Sequence, residues 1–359
     1  MNQERISKLQ KQIQNLVLIK KPENIFYLLG RSFLHGYLLV KPRSSKPVFF
    51  GDGLERVDGV KTDRLKYLPL YLGKARKLEL EDEFTFAEFN YIKTKFEEHK
   101  IKVNIKHIKS PVDFLRTVKS QEEIALVKKS MQIVEAVFKL VRKEIKKPAM
   151  TEIKLAQFIQ KSGLSMGAEN VSFPAIVASD VNAAVPHHVP SKKKIKAGES
   201  IIIDFGFKYK GYCSDFTRTV FLKKVPSRLA VAYDQVEKAY LSSMQYIEGA
   251  LPGFPLKSAF KGIMAGKVYQ KAVDVLAEKH LDKYFIHSLG HGTGLEIHEL
   301  PNLSPSSKDI LKPGMVFSIE PGVYIPRLGG IRIEDLVVLK KEGIEKFINV
   351  STKLRDNIL

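Results

Sequence analysis

Four carboxylates sit inside runs of residues that otherwise read as buried strands. They are Asp204 in I-I-I-D-F-G, Asp215 in C-S-D-F-T-R-T, Glu320 in F-S-I-E-P-G and Glu334 in I-R-I-E-D-L. A fifth polar residue, His291, stands in the glycine-bounded L-G-H-G-T-G. Burying a carboxylate is costly unless it is paired or bound to a metal. Four carboxylates gathered at one place repel one another, so a fold that gathers them needs cations there. Hard oxygen ligands with one imidazole suit a pair of divalent ions such as Mn²⁺, Co²⁺ or Zn²⁺, and a two-metal site of that kind is built for hydrolysis. Taken singly, each carboxylate reads as a salt bridge or a strand-edge charge; the series of five carries the metal reading.

The order of elements around these residues constrains the fold further. Ser120 and Glu123 form an S-x-x-E capping box, after which Ile124, Val127, Met131, Val134, Val137 and Phe138 recur at helical spacing. Thr151 is expected to cap a second helix to about residue 163. Strands follow in AIVAS, ESIIIDFGF and YCSDFTRTVFL, with a turn at Lys208–Gly211. The order then recurs, with helices near 227–248 and 256–280 and strands in GMVFSIEPGVYI and GIRIEDLVVL. Residues 121–222 and 227–340 thus each run helix, helix, strand, strand, and each half ends in a pair of strands carrying two carboxylates. The expectation is a pseudo-symmetric curved sheet flanked by helices, with the metals where the halves meet. Residues before Lys109-Ser110-Pro111 read as a smaller α/β domain. There LVLIKKPENIFYLLG, GYLLV and PVFFGDG are read as strand-like runs, and a helical pattern covers about 82–99.

The chain has 359 residues, 44% of them hydrophobic and 27% charged, as in an ordinary globular protein. No run approaches the ~18 apolar residues of a membrane span, and the N-terminal MNQERISKLQKQIQNL lacks an apolar signal core. A cytoplasmic location is therefore expected, and the single cysteine, Cys213, fits a reducing compartment. The net charge of +20 raises the question of nucleic acid. Lysines are scattered, however, and the densest run, at 192–196, reads as a solvated loop; no nucleic-acid-binding motif accompanies it.

The segments IIIDFG, GYCSDFTRT, GHGTGLEIHE, SIEPG and GIRIEDL together resemble the signature segments of the pita-bread metallopeptidases, and most of all the proline-peptidase branch of Xaa-Pro dipeptidases (prolidases) and Xaa-Pro aminopeptidases. The resemblance runs from about Phe114 to Val338, and more loosely through PENIFYLLG and GYLLV. It implies an α+β chain: an N-terminal creatinase-like α/β domain at 1–112 and a C-terminal pita-bread (creatinase/aminopeptidase) domain at 113–359. It implies that Asp204 chelates one metal, that His291 and Glu320 bind the other, and that Asp215 and Glu334 bridge both. The ions would be Mn²⁺ first, with Co²⁺ or Zn²⁺ as alternatives, and a hydroxide between them would attack the scissile carbonyl of a small peptide. His187, in N-A-A-V-P-H-H-V-P, would line the substrate pocket, with His188 a neighbour without a role. His298 would contact the carbonyl or its tetrahedral intermediate, and Glu320 would also shuttle a proton. Arg332, two residues before Glu334 and read as on the same strand face, would orient a ligand carboxylate. The resemblance further implies a homodimer, with the N-terminal domain limiting access to the pocket.

Several residues carry weaker readings. Cys213 is better read as a small buried residue than as a ligand, and Phe173 as either a pocket wall or core. The spacing of Gly290, Gly292 and Gly294 is not that of a phosphate loop, and close backbone approach to a metal site explains them better. In His298-Glu299-Leu300-Pro301-Asn302, the dipeptidase branch often carries arginine where Asn302 stands, and asparagine cannot make that charged bidentate pair. Longer Xaa-Pro-Yaa substrates therefore stay open, unless Arg31 and His35 compensate. Three rivals remain: a methionine aminopeptidase, a creatinase-like metal-free hydrolase, which would have lost ligands, and a non-enzymatic module that binds protein or nucleic acid.

Overall fold

In the computed structural model the chain divides into two units, Met1–Arg116 and Thr117–Leu359. The structure describes residues 2–30, 35–43, 46–52, 57, 59–250 and 262–359. The first unit is built on a six-stranded mixed sheet. Its strand order is Lys61–Asp63, Val48–Phe50, Tyr37–Val40, Leu16–Ile19, Lys77–Glu81, Asn104–Ile108. Leu16, Leu18, Leu39, Phe50, Leu78 and Leu80 of this sheet pack with Ile92 and Phe96 of the helix Phe86–Glu98. That helix begins at a complete Thr85–Glu88 capping box. The segment PENIFYLL, read from sequence as strand-like, is a helix, Pro22–Leu29. Its punctuation explains the difference. Pro22 occupies the first turn, where its missing N–H costs nothing, and Gly30 closes the helix at φ +71, a conformation that favours glycine.

The second unit opens with the helices Gln121–Glu144 and Glu152–Ser165, capped by Ser120 and Thr151. Val127, Met131, Val134, Val137 and Phe138 of the first of these helices are buried, on one face. The later pair is Ser227–Gly249 and Ala265–Ala277. The second of these starts at Ala265 rather than near 256, and residues 251–261 lie outside the described ones. Tyr233, Val236 and Ile247 of the longer helix and Val268 and Leu276 of the shorter share one core with Phe317, Ile319, Val337 and Leu339 of the sheet. Full burial of side chains of this size stabilises by about 1.5–3 kcal/mol each relative to exposure.

The sheet between these helices is antiparallel throughout. Its order is Glu299–Asn302, His291–Gly292, Val316–Ile319, Glu334–Leu339, Phe216–Phe221, Ser200–Asp204, Ile176–Ser179, with Ile344–Lys346 added to Glu334–Leu339. The two halves of the unit meet where Phe216–Phe221 pairs with Glu334–Leu339 in the register Phe216↔Asp335 and Thr217↔Glu334. A hairpin, Gly322–Ile325 with Gly329–Arg332, stands apart from this ladder. The run G-I-R-I-E-D-L is therefore two strands rather than one: the chain changes pairing partners at Ile333, between Arg332 and Glu334.

Candidate metal centre

The sheet register places the acidic side chains. Asp204 pairs with Thr217, and Thr217 with Glu334, so three adjacent strands present a carboxylate, a hydroxyl and a carboxylate in one row. Asp215 lies two residues before Thr217, at the edge of the same strand. Glu320 directly follows Val316–Ile319, and His291 opens the short strand whose Gly292 pairs with Phe317. The glycines beside His291 permit this approach. A Cβ at Gly290 would collide with the Ser318 carbonyl, and one at Gly292 with the Leu300 carbonyl. These close approaches seat the histidine strand between Val316–Ile319 and Glu299–Asn302.

Asp204 and Glu334 are each gripped on one side and bare on the other. Arg332 Nη2 donates to Asp204 Oδ2 at 2.5 Å, and Thr217 Oγ1 donates to Glu334 Oε2 at 2.7 Å. His291 Nε2 lies 3.5 Å from Asp215 Oδ2 and 3.4 Å from Glu320 Oε1. The opposite oxygens, Asp204 Oδ1, Asp215 Oδ1 and Glu334 Oε1, are buried and have no hydrogen-bond partner among the described residues. Buried polar atoms are rarely left so, and three carboxylate oxygens left so on adjoining strands fit cations. Asp215, His291 and Glu334 each offer a ligand atom, all within 4.8 Å of one another. This oxygen-rich set with one imidazole suits a divalent ion.

The electrostatics agree. Burial, and then the charges of Glu334, Asp204 and Glu320, push the Asp215 carboxyl well above the usual carboxylate range. Burial, and then Glu320 and Asp204, do the same to Glu334. Burial raises Asp204 while Arg332 opposes it, and burial pushes Glu320 up to about 7 against the same guanidinium. His291 is lowered to about 4 by burial and by His298, so its imidazole is neutral and able to ligate. A dication reverses this penalty on every carboxylate it touches.

Around this core the remaining candidates divide. His298 stacks edge-on against His291, ring centroids 4.2 Å apart. Burial and His187 lower its pKa. His187 is exposed. His188 faces the other way, its Nε2 2.9 Å from Glu152 Oε2. Arg332 joins Asp204 to Tyr324, whose hydroxyl accepts from Nη1 at 2.6 Å. Asn302 is exposed on the strand paired with His291. Cys213 is fully buried, its Sγ 3.7 Å from the Leu295 carbonyl. Phe173 is partly buried, His35 is exposed, and Arg31 lies outside the described residues.

Sequence reasoning passed over Thr217, His287, Ser318 and Tyr324. His287 Nε2 lies 2.9 Å from the Tyr324 hydroxyl and its Nδ1 4.0 Å from Glu320 Oε2. Burial drives its pKa down to about 3. Ser318 Oγ donates to Glu320 Oε1 at 3.3 Å and accepts from the His291 backbone N–H. Strand alternation was the available signal for Thr217 and Ser318, each two residues from a carboxylate on the same face. Tyr324 and His287 carried no local signal.

Comparisons with known proteins agree with this geometry. Residues 125–341 match metallopeptidase family M24. The Xaa-Pro dipeptidase of Pyrococcus horikoshii is 31% identical over 348 residues, 94% of this chain and 93% of that one. Among solved structures, an Xaa-Pro dipeptidase from Bacillus anthracis superposes with a TM-score of 0.87 at 29% identity, covering 98% of both chains. An X-Pro aminopeptidase from Thermotoga maritima superposes with a TM-score of 0.82 at 26% identity, covering 97% and 98%. Alignments with curated relatives span between 61% and 96% of those proteins. The architecture is the pita-bread fold of these neighbours. By profile, by relatives of similar length and by fold, the chain belongs to metallopeptidase family M24.

Proposed function

We propose that the chain is a two-metal peptidase that hydrolyses the Xaa-Pro bond at the N-terminus of dipeptides or short peptides. The observation that carries this reading is the set of buried, bare carboxylate oxygens beside His291, in a chain whose relatives and structural neighbours are Xaa-Pro dipeptidases and aminopeptidases. Asp204 would hold one ion, His291 and Glu320 the other, with Asp215 and Glu334 between them. Divalent ions bound there would acidify a water and polarise the scissile carbonyl. Arg332 and Thr217 fix one oxygen each of Asp204 and Glu334, which aims the bare oxygens. Glu320, whose Oε1 lies 3.4 Å from His291 Nε2, would also pass a proton to the leaving nitrogen. His298 and His187 supply N–H donors where negative charge develops.

Proline fits such a site for a stated reason. An Xaa-Pro bond has no N–H, and proline fixes φ, so a protease that aligns substrate as a β-strand loses a hydrogen bond there. A centre that grips the substrate's α-amino group and carbonyl has no such need. A shaped pocket accepts one isomer, and trans is expected.

The proposal extends to Mn²⁺ as the working metal, a cytoplasmic location, an independent domain at 1–112 and a homodimer, all on resemblance. Among the described residues no helix is long and apolar enough to cross a membrane. The deciding assay compares Ala-Pro, Ala-Pro-Ala and Met-Ala-Ala after reconstitution with Mn²⁺, Co²⁺ or Zn²⁺, read by mass spectrometry. Cleavage of either proline peptide supports the proposal and separates dipeptidase from aminopeptidase. Cleavage of Met-Ala-Ala alone overturns it, as does no cleavage with both metals bound.

A further inference from the structure

Glu152 begins the helix Glu152–Ser165, and its side chain is fully buried. Acidic residues at this position ordinarily face the helix N-terminus. Thr151 already caps that end, its side chain accepting from the Lys154 N–H, and the Glu152 carboxylate is directed elsewhere. Its Oε1 accepts from the Ser179 N–H at 2.7 Å and the Ser179 hydroxyl at 2.8 Å. Its Oε2 accepts from the Ser191 hydroxyl at 2.7 Å and the Ser191 N–H at 3.1 Å. Asn182 Nδ2 donates to both oxygens, at 3.1 and 3.2 Å, and His188 Nε2 lies 2.9 Å from Oε2. Burial alone would raise the carboxyl. The bonds from Ser191, His188, Asn182 and Ser179 overcome it and hold the pKa down to about 2.

These donors share one loop. Ser179 ends the strand Ile176–Ser179, Asn182 lies in the turn Asp180–Ala184, and Ser191 lies beyond the two prolines that flank the histidines. One carboxylate therefore ties the beginning, middle and end of segment 179–191. Its bond to His188 holds that ring on the Glu152 side, while the preceding His187 is exposed. The far side of the loop meets the centre directly. Arg332, which grips Asp204, also reaches the Pro186 carbonyl at 3.4 Å, and a Cβ at Gly330 would collide with the Ala183 carbonyl.

We propose that Glu152 is a positioning residue that acts through His187: its buried carboxylate sets the conformation of loop 179–191 and so the place of His187 over the substrate. The inference rests on the Xaa-Pro peptidase reading. Backbone bonds cannot replace the carboxylate, because N–H and O–H donors converge on it and only an acceptor with several lone pairs satisfies them. Glu152→Gln sets an amide NH₂ against those donors. The helix start remains tied by the Glu152 N–H to the Lys193 carbonyl.

A double-mutant cycle on the metal-loaded, full-length enzyme tests the proposal. Glu152→Gln is expected to lower kcat/KM for the proline peptide by about tenfold or more, the scale of a misplaced catalytic group, with metal content unchanged. On a His187→Ala background the same substitution is expected to have little further effect. Equal losses on both backgrounds would overturn the proposal, because they mark a structural role that does not pass through His187. Unchanged kcat/KM in Glu152→Gln would overturn it too. If Glu152→Gln does not fold, Ser191→Ala, which removes one short bond to the carboxylate, is carried through the same cycle and read in the same way. A wild-type protein that cleaves no proline peptide is a separate outcome: it rejects the peptidase reading, and the inference with it.

Discussion

Glu334 and Asp335 are neighbours in one strand, both buried and both acidic, yet they face opposite sides of the sheet. Asp335 is fully matched. Arg218 Nη2 donates to its Oδ1 at 2.7 Å, the Tyr240 hydroxyl donates to its Oδ2 at 2.7 Å, and Lys346 lies 3.6 Å away. Arg218 spends its other donors on carbonyls of Thr217, Glu334, Val350 and Ser351. Glu334 has a single hydroxyl on one oxygen and nothing among the described residues on the other. In sequence the two differ by one methylene; in structure one is a closed ion pair and the other keeps a buried oxygen with no hydrogen-bond partner among the described residues. Burial alone does not separate a structural charge from a functional one, and hydrogen-bond completeness does.

The contrast breaks most sharply by mutation. Asp215→Asn or Glu334→Gln removes a carboxylate oxygen from the proposed centre and is expected to abolish hydrolysis with loss of bound metal. Near-wild-type turnover at full metal content, measured by elemental mass spectrometry beside the peptide assay, would remove either residue from the centre. Asp335→Asn leaves Arg218 buried without its carboxylate. The expected cost is about 3–5 kcal/mol of folding stability, read by urea unfolding, with metal content preserved below the transition. Lost metal at unchanged stability would reverse the assignment of the two faces. His298→Ala lies between these cases: the metals stay bound and kcat falls about 10²-fold, the scale of one lost oxyanion donor. An unchanged kcat takes His298 out of the reaction.

Much of this was legible, for identifiable reasons. The capping box at Ser120 and the cap at Thr151 are local chemistry, and the helices begin where those residues stand. The five candidate ligands stood out because charges in strand-like runs are conspicuous. The helix Pro22–Leu29 was misread because Ile25, Phe26, Tyr27, Leu28 and Leu29 suit a strand as well as a helix, and only Pro22 and Gly30 mark its ends. What stayed hidden is non-local. Arg332 was read as orienting a ligand carboxylate, but which one was not legible: it meets Asp204 across 128 positions, and Glu152 meets Ser191 across 39. No periodicity encodes such pairings, and the first of them spans the two halves that join at Thr217 and Glu334.

The least disruptive way to sharpen the contrast is to leave the sequence alone and strip the metals. In metal-free protein, burial and mutual repulsion hold Asp215 and Glu334 well above the usual carboxylate range, and burial holds Glu320 at about 7. The unfolded chain titrates at ordinary carboxylate values. Between those values and the raised folded ones, the native state binds more protons than the unfolded state, so stability falls as pH rises. Glu152 has the opposite sign. Its folded pKa of about 2 gives stability that is complete above the unfolded value and is lost only as pH falls toward 2, so it adds no slope near neutrality. His287 and His291, lowered to about 3 and about 4, oppose the carboxylate slope until the unfolded histidine value of about 6.5 is passed, so chelator-treated protein is expected to unfold at progressively lower urea concentration as pH is raised from about 6.5 to about 8. Metal-loaded protein should be more stable throughout, because an ion that binds only the native state adds its binding free energy. A flat metal-free profile over that range, or one that rises with pH, would mean that the open face of the strand is not the repulsive cluster its bare oxygens describe.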